Sequence, residues 1–268
     1  MRKHPRGYSI DYYAYLSPLR MWNASFKVLL SVSILLICII ADNIYVSAAI
    51  ILGMGYLTVR KGNVHFQDYL ALLRVPLAFI ILGSLPIGVS ISKHATGDYF
   101  MNFHYFYFYV TSESILTAVR VIVKAFGAIS GMYMLTLSTP VNDIIMVLCK
   151  SHVPKLITEL MSMIYRYIFI LMDVQYRIRN SAESRLGYRD FKTACFTFGN
   201  SMSSLLIISL KKAGMYYDAM EARCYEGEMH FLKEDKPVET RQILMGALFI
   251  IIIILIKLFT EMEEGIVV

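Results

Sequence analysis

The sequence predicts an all-α polytopic membrane protein, with about five transmembrane helices and a pair of long cytoplasmic helices. Three observations carry that expectation. Of the 268 residues, 57% are hydrophobic and only 17% are charged, against about 25% charged in a typical soluble domain. Charge-poor runs recur at lengths that can cross a hydrocarbon core of about 30 Å, which takes roughly 17 to 25 helical residues. The Lys and Arg residues flanking those runs alternate in the way the positive-inside rule requires.

Taken in order, the first span is Phe26 to Ala41, entered through Leu19 to Ser25, and the second is Ile44 to Val59 after the Asp42-Asn43 break. Together they read as a tight helical hairpin. The third, Pro76 to Ser92, is short and punctuated by Pro86 and two glycines, with Tyr69 to Arg74 as its lead-in. Ile115 to Leu137 is the fourth, and Ile243 to Phe259 the fifth, with nine consecutive apolar residues from Ala247 to Leu255. Arg2, Lys3 and Arg6 place the N-terminus in the cytoplasm, the Asp42-Asn43 turn then faces outward, and Arg60-Lys61 returns inside. The segment Lys93 to Glu113 faces outward, and its aromatic run Phe103 to Tyr109 reads as an interfacial belt rather than a core strand. The acidic tail Glu261, Glu263, Glu264 ends outside. A cleaved signal peptide is not expected, because the first apolar run begins late and no small-x-small site precedes Asp42. Three regions follow: residues 1–138 with the N-terminal spans, 139–242 on the cytoplasmic side, and 243–268 with the last span and tail.

The cytoplasmic middle is expected to be helical. Thr139-Pro140 ends the fourth span, because proline cannot continue a helix and drives the residue before it to extended geometry. A short amphipathic helix covers Val141 to Lys150, and Val153-Pro154 starts a long one that runs to about Tyr188 with Pro154 at a first helical position. Asp173, Arg177, Ser181, Arg185 and Arg189 recur every four residues and so share one slowly drifting face. After a connection from Phe191 to Thr197, a second helix from about Phe198 to Ala222 begins apolar, turns basic at Lys211-Lys212 and ends in Ala222-Arg223. Met215, Ala219 and Ala222 line a narrow strip there: either a surface for close helix crossing or simply good helix formers.

Reaction chemistry is hard to find. The sequence has no GxxxxGK[ST] phosphate loop, no HExxH, no GxSxG and no Cys/His zinc spacing. The four cysteines form no CxxC pair, and the six histidines are scattered; His94 and His104 share the outer segment without a further ligand. No catalytic residue, resident metal, cofactor or nucleic-acid partner is called for. Arg120 and Lys124, four apart inside the fourth span, either snorkel to the outer boundary or meet another membrane subunit.

Five motifs in order carry a resemblance: Thr139-Pro140; Val153-Pro154-Lys-Leu; Tyr165-Arg166-Tyr167; Arg185-Leu-Gly-Tyr-Arg189; and Ala219-Met-Glu-Ala-Arg-Cys-Tyr225, with Ser17-Pro18-Leu19 near the start. In that order and spacing the chain resembles the T component of energy-coupling factor transporters, the CbiQ/EcfT family, and most closely the CbiQ branch associated with cobalt or nickel. The resemblance implies a non-catalytic transmembrane subunit in the plasma membrane that joins a substrate-binding S component to two ABC-type ATPases. It further implies two coupling motifs whose arginines dock on the ATPases: Ser184-Arg185-Leu186 and Ala222-Arg223-Cys224, with Arg177, Arg189 and Ala219 supporting the helices. The family's glycine is replaced by Leu186 in one motif and Cys224 in the other. A second reading, a membrane scaffold whose basic helices hold anionic lipid, rests on the juxtamembrane Lys and Arg clusters.

Overall fold

The computed structural model describes residues 9–88, 90–92, 99–103, 106–151, 153–227 and 236–266. Arg2, Lys3, Arg6, Lys93, His94 and His104 lie outside the described residues. The chain order is α1 (Ser9–Leu16), a 3₁₀ turn (Pro18–Met21), α2 (Ala24–Ala41), α3 (Ile44–Tyr56), α4 (Phe66–Gly88), α5 (Ser112–Ser138), α6 (Val141–Lys150), α7 (Lys155–Ser184), α8 (Phe191–Glu221) and α9 (Thr240–Ile266). Helix α3 runs on as a π-helical turn over Leu57–Lys61. The protein is a multi-pass, all-α membrane protein. Six of its helices, α2 to α5, α8 and α9, are long and apolar enough to cross a bilayer; α8, which was not among the five expected spans, meets that criterion by length and composition alone.

Two compact units divide the chain: residues 1–144 with 235–268, and residues 145–234. In the first unit, α2 and α9 run parallel, with α3 and α5 antiparallel to both. Contacts fix these directions. Ser31 donates to the Gly131 carbonyl at 2.6 Å, Cys38 Sγ donates to the Lys124 carbonyl at 3.4 Å, and Asn43 Nδ2 donates to Thr260 Oγ1 at 2.8 Å. Leu30, Ile34, Cys38, Val46, Ile50, Met54, Met134 and Ile253 form the shared core. Small residues let the backbones approach: a Cβ on Gly246 would lie 2.6 Å from Phe26 and 2.7 Å from Leu30. Large apolar side chains such as Leu36, Ile40, Phe79, Leu82, Ile251 and Phe259 point outward. That is the expected arrangement for helices solvated by lipid, not water.

Several boundaries differ from the expectation. The third span is α4, which starts ten residues before Pro76, at Phe66, and ends at Gly88. Pro76 sits inside it and has no N–H for the Leu72 carbonyl four residues earlier. Tyr133 of α5 supplies the missing donor, its hydroxyl lying 3.2 Å from that carbonyl, so a proline is accommodated at membrane depth by a neighbouring helix. The described residues of the aromatic run read as a belt, Phe103 and Phe106 to Tyr109, are strand: β1 (Ser90–Ser92), β2 (Tyr99–Phe103) and β3 (Phe106–Val110) make a small antiparallel sheet in the order β1-β3-β2. Phe and Tyr suit a strand as well as a membrane interface.

Lys124 reaches the turn between α2 and α3, the boundary to which snorkelling would carry it. Its ammonium lies 2.7 Å from Asp42 Oδ1, so the charge is answered within the chain. Asp42 sits in the left-handed region at φ 44° between α2 and α3. The hydrogen bond and charge of Lys124 hold its carboxyl below the ordinary range.

Candidate functional site

Within residues 145–234, α7 and α8 are joined by the short segment 185–190, and the rings of Tyr167 and Tyr216 meet with centroids 5.1 Å apart. Helix α7 begins with Pro154 as its N-cap rather than as its first residue, and it stops at Ser184, not Tyr188. Arg189 is therefore off the helix and does not extend the stripe of Asp173, Arg177, Ser181 and Arg185; its N–H bonds the Leu186 carbonyl at 3.2 Å. Helix α8 starts at Phe191, so the expected Phe191 to Thr197 connection is helical. Ser184 Oγ donates to the Asn180 carbonyl at 2.9 Å, and Arg179 pairs with Glu183 at 2.9 Å. Arg177, Ala219 and Ala222 are exposed.

The two arginine segments share one backbone geometry. After α7, Leu186 N–H bonds the Glu183 carbonyl at 3.0 Å and Gly187 N–H reaches back five residues to Ala182 at 2.9 Å. After α8, Cys224 N–H bonds Glu221 at 3.0 Å and Tyr225 N–H reaches back five residues to Met220 at 3.1 Å. Each is the paired-bond Schellman cap that satisfies the last carbonyls of a helix, with one residue in left-handed conformation. Leu186 and Cys224 are those residues, both at φ 58°. The position prefers glycine because a Cβ there crowds the following carbonyl. The two residues that stand where the resemblance expects glycine thus both adopt the left-handed conformation of the cap.

Arg185 and Arg223 immediately precede the left-handed residue in each cap, and both are exposed. Neither guanidinium has an ion-pair or hydrogen-bond partner among the described residues. Gly187 fixes the first corner: a Cβ on it would meet the Ala182 carbonyl oxygen and the Thr197 side chain of α8 at 2.9 Å. The 31 residues of α8 span about 46 Å at 1.5 Å per residue, and one motif lies at each end. Such an arrangement can offer two separate, planar, multi-donor cations to acceptors on another surface. Among the described residues, no group of His, Cys, Asp and Glu side chains is arranged to hold a metal ion.

The family model for CbiQ, described as cobalt transport protein, matches residues 16–232 and so takes in both arginine segments. The chain belongs to the CbiQ family. Among its relatives is a fused protein of Methanocorpusculum labreanum named CbiMQ for cobalt transport, 29% identical over 91% of this CbiQ-family chain; the chain spans 41% of that longer protein. An uncharacterised protein of Methanocaldococcus jannaschii is 26% identical over 94% of the chain and 93% of its own length. The cobalt transport protein CbiQ of Salmonella typhimurium is 23% identical over 59% of the chain and 71% of its own length.

One cluster escaped the sequence reading. Lys27, in the first turn of α2, is 0% exposed, and its ammonium donates to the carbonyls of Leu19 at 3.0 Å and Ser138 at 2.9 Å. Nearby, Lys236 pairs with Asp143 at 3.0 Å and donates to the Arg20 carbonyl at 2.9 Å. The signal was available for Lys27, the one charged residue of α2. Such a residue in a span is functional until shown otherwise. For Asp143 and Lys236 the sequence carries no signal, since 93 residues separate them.

Proposed function

We propose that this CbiQ-family protein is the transmembrane coupling subunit of an energy-coupling factor importer, taking up cobalt or nickel. It passes ATP-driven motion from two ABC-type ATPases to a substrate-binding membrane partner and catalyses nothing itself. The observation that carries the reading is the duplicated cap, which presents Arg185 and Arg223 in the same backbone setting at the two ends of α8. A matched pair of exposed guanidiniums suits a matched pair of grooves lined with carboxylates or carbonyls. Ser184, Leu186, Ala222 and Cys224 flank the contacts, Arg177 and Arg189 add positive charge beside the first, and Ala219 keeps the end of α8 slim. In this reading the coupling motifs and the N-terminus are cytoplasmic, in the plasma membrane.

A charge-assisted hydrogen bond contributes about 1.5 to 3 kcal/mol, so each arginine anchors its partner reversibly. Closure of the ATPase pair would change the spacing of the two anchors, and the helices would carry the displacement. The test is co-purification and uptake with all subunits co-expressed. Arg185→Ala or Arg223→Ala is expected to leave the chain in the membrane and to weaken ATPase association at least tenfold, about 1.4 kcal/mol, with Lys only partly replacing Arg. Wild-type association and uptake in the double Ala variant would exclude this role. A uniform decline with any lost charge among Arg177, Arg179, Lys211 and Lys212, steep in salt, would favour the lipid-binding scaffold instead.

A further inference from the structure

Residues 145–234 form a unit inserted between two parts of the membrane-spanning unit, so the chain crosses between units twice, after Ile144 and before Asp235. One residue inside each crossing stand Asp143 and Lys236, and they are joined. Lys236 Nζ lies 3.0 Å from Asp143 Oδ2, with side chains only 16% and 13% exposed. The pairs Lys124–Asp42 and Arg179–Glu183 are more open.

The joint is anchored on both sides. Lys236 Nζ also donates to the Arg20 carbonyl at 2.9 Å, and its own carbonyl accepts from Asn23 Nδ2 at 2.7 Å. Asn23 is the N-cap of α2, its Oδ1 accepting the Phe26 N–H at 3.3 Å. One turn on, Lys27 binds the carbonyls of Leu19 and Ser138, the latter at the end of α5. Helix ends leave carbonyls without intrahelical partners, and a cation there is favoured by the helix dipole. Burying a lysine wholly and an ion pair largely is costly unless each group is paired. These groups are paired, and their partners are α2, α5, α6 and the two crossings.

We propose that Asp143 and Lys236, seated on Asn23 and Lys27, form the clasp through which movement of the 145–234 unit is delivered to α2 and α5. They are positioning residues for transport, not docking residues. The proposal rests on the coupling role above. A clasp that holds both crossings together ties the two chain connections of the inserted unit to one place on α2 and α5; an open one lets each connection give way separately. The chain then still holds the ATPases but spends their cycle without moving substrate.

The experiment uses the assembled complex with Asp143→Asn, Lys236→Gln, and the exchanged pair Asp143→Lys with Lys236→Asp. Three quantities are read: ATPase co-purification, ATP hydrolysis and metal uptake. For both single variants the expected result is wild-type co-purification and continued hydrolysis with uptake down about tenfold, a size usual for coupling between sites. Recovery of uptake by the exchanged pair is the further expected result. Unchanged uptake in both single variants overturns the clasp, and so does a parallel fall of all three quantities, which marks general destabilisation. If the wild-type chain fails to hold the ATPases, the coupling role falls first and takes the clasp with it. Loss in Arg185→Ala of association, beside its retention in Asp143→Asn, separates docking from delivery.

Discussion

Leu186 and Cys224 hold the same backbone angle at the ends of two different helices, φ 58°. For a residue with a Cβ that conformation costs roughly 1 kcal/mol or more, and Leu186 regains little by burial, being 68% exposed. Leu186→Gly and Cys224→Gly are each expected to raise stability by about 0.5 to 1 kcal/mol, the relief of strain being partly offset by the freer unfolded chain. Thermal unfolding of the purified protein would read this as a higher midpoint; a lower one would mean that the side chains make contacts the exposed caps do not reveal. Arg185 and Arg223 were legible in sequence because they punctuate apolar segments, and the small residues before them repeat. What the letters could not convey is that the residue after each arginine is the pivot of a helix cap, since Leu and Cys are poor markers for a left-handed turn.

At the scale of elements, apolar runs located α2, α3, α5 and α9 to within a few residues, because a spanning helix has to be apolar over most of its length. Helix α4 was misjudged at its start, where Asp68 and Arg74 dilute the run, and α8 at its start, where Lys192, Thr193 and Thr197 look like a connection. In both cases the structure continues a helix through polar residues that a composition window discounts. The contact of Tyr133 with the Leu72 carbonyl gives a sharp test of why α4 tolerates Pro76. Tyr133→Phe is expected to cost about 1 kcal/mol, the net value of one hydrogen bond. In a Pro76→Ala background, where the backbone N–H is restored, the same substitution should cost almost nothing. Equal costs in both backgrounds, measured as a double-mutant cycle, would show that the hydroxyl does not serve the proline.

For the molecule as a whole, the alternation of the helices agrees from one end to the other: Asn43 meets Thr260 near one end, and Lys27 meets Ser138 near the opposite one. The proposed orientation puts the latter end and both arginine motifs in the cytoplasm. Cys149, Cys195 and Cys224 are exposed and can report it directly. A membrane-impermeant maleimide should label these thiols in inside-out vesicles and leave them unreacted in right-side-out ones, while Tyr45→Cys beside the Asp42 turn behaves the opposite way. Labelling of the three native thiols from the outer face, with Tyr45→Cys reached from the inner face, would reverse the topology. The long-range joints were the part of the fold hidden from sequence, because Lys236 bonds the Arg20 carbonyl across 216 positions and nothing local announces the pairing. Since the chain leaves the membrane-spanning unit and re-enters it at two residues that touch, the inserted stretch is topologically a cassette. A short linker from Asp143 to Lys236 would close the remaining fold without stretching it, and a lineage could exchange the inserted unit for another while keeping the same membrane body.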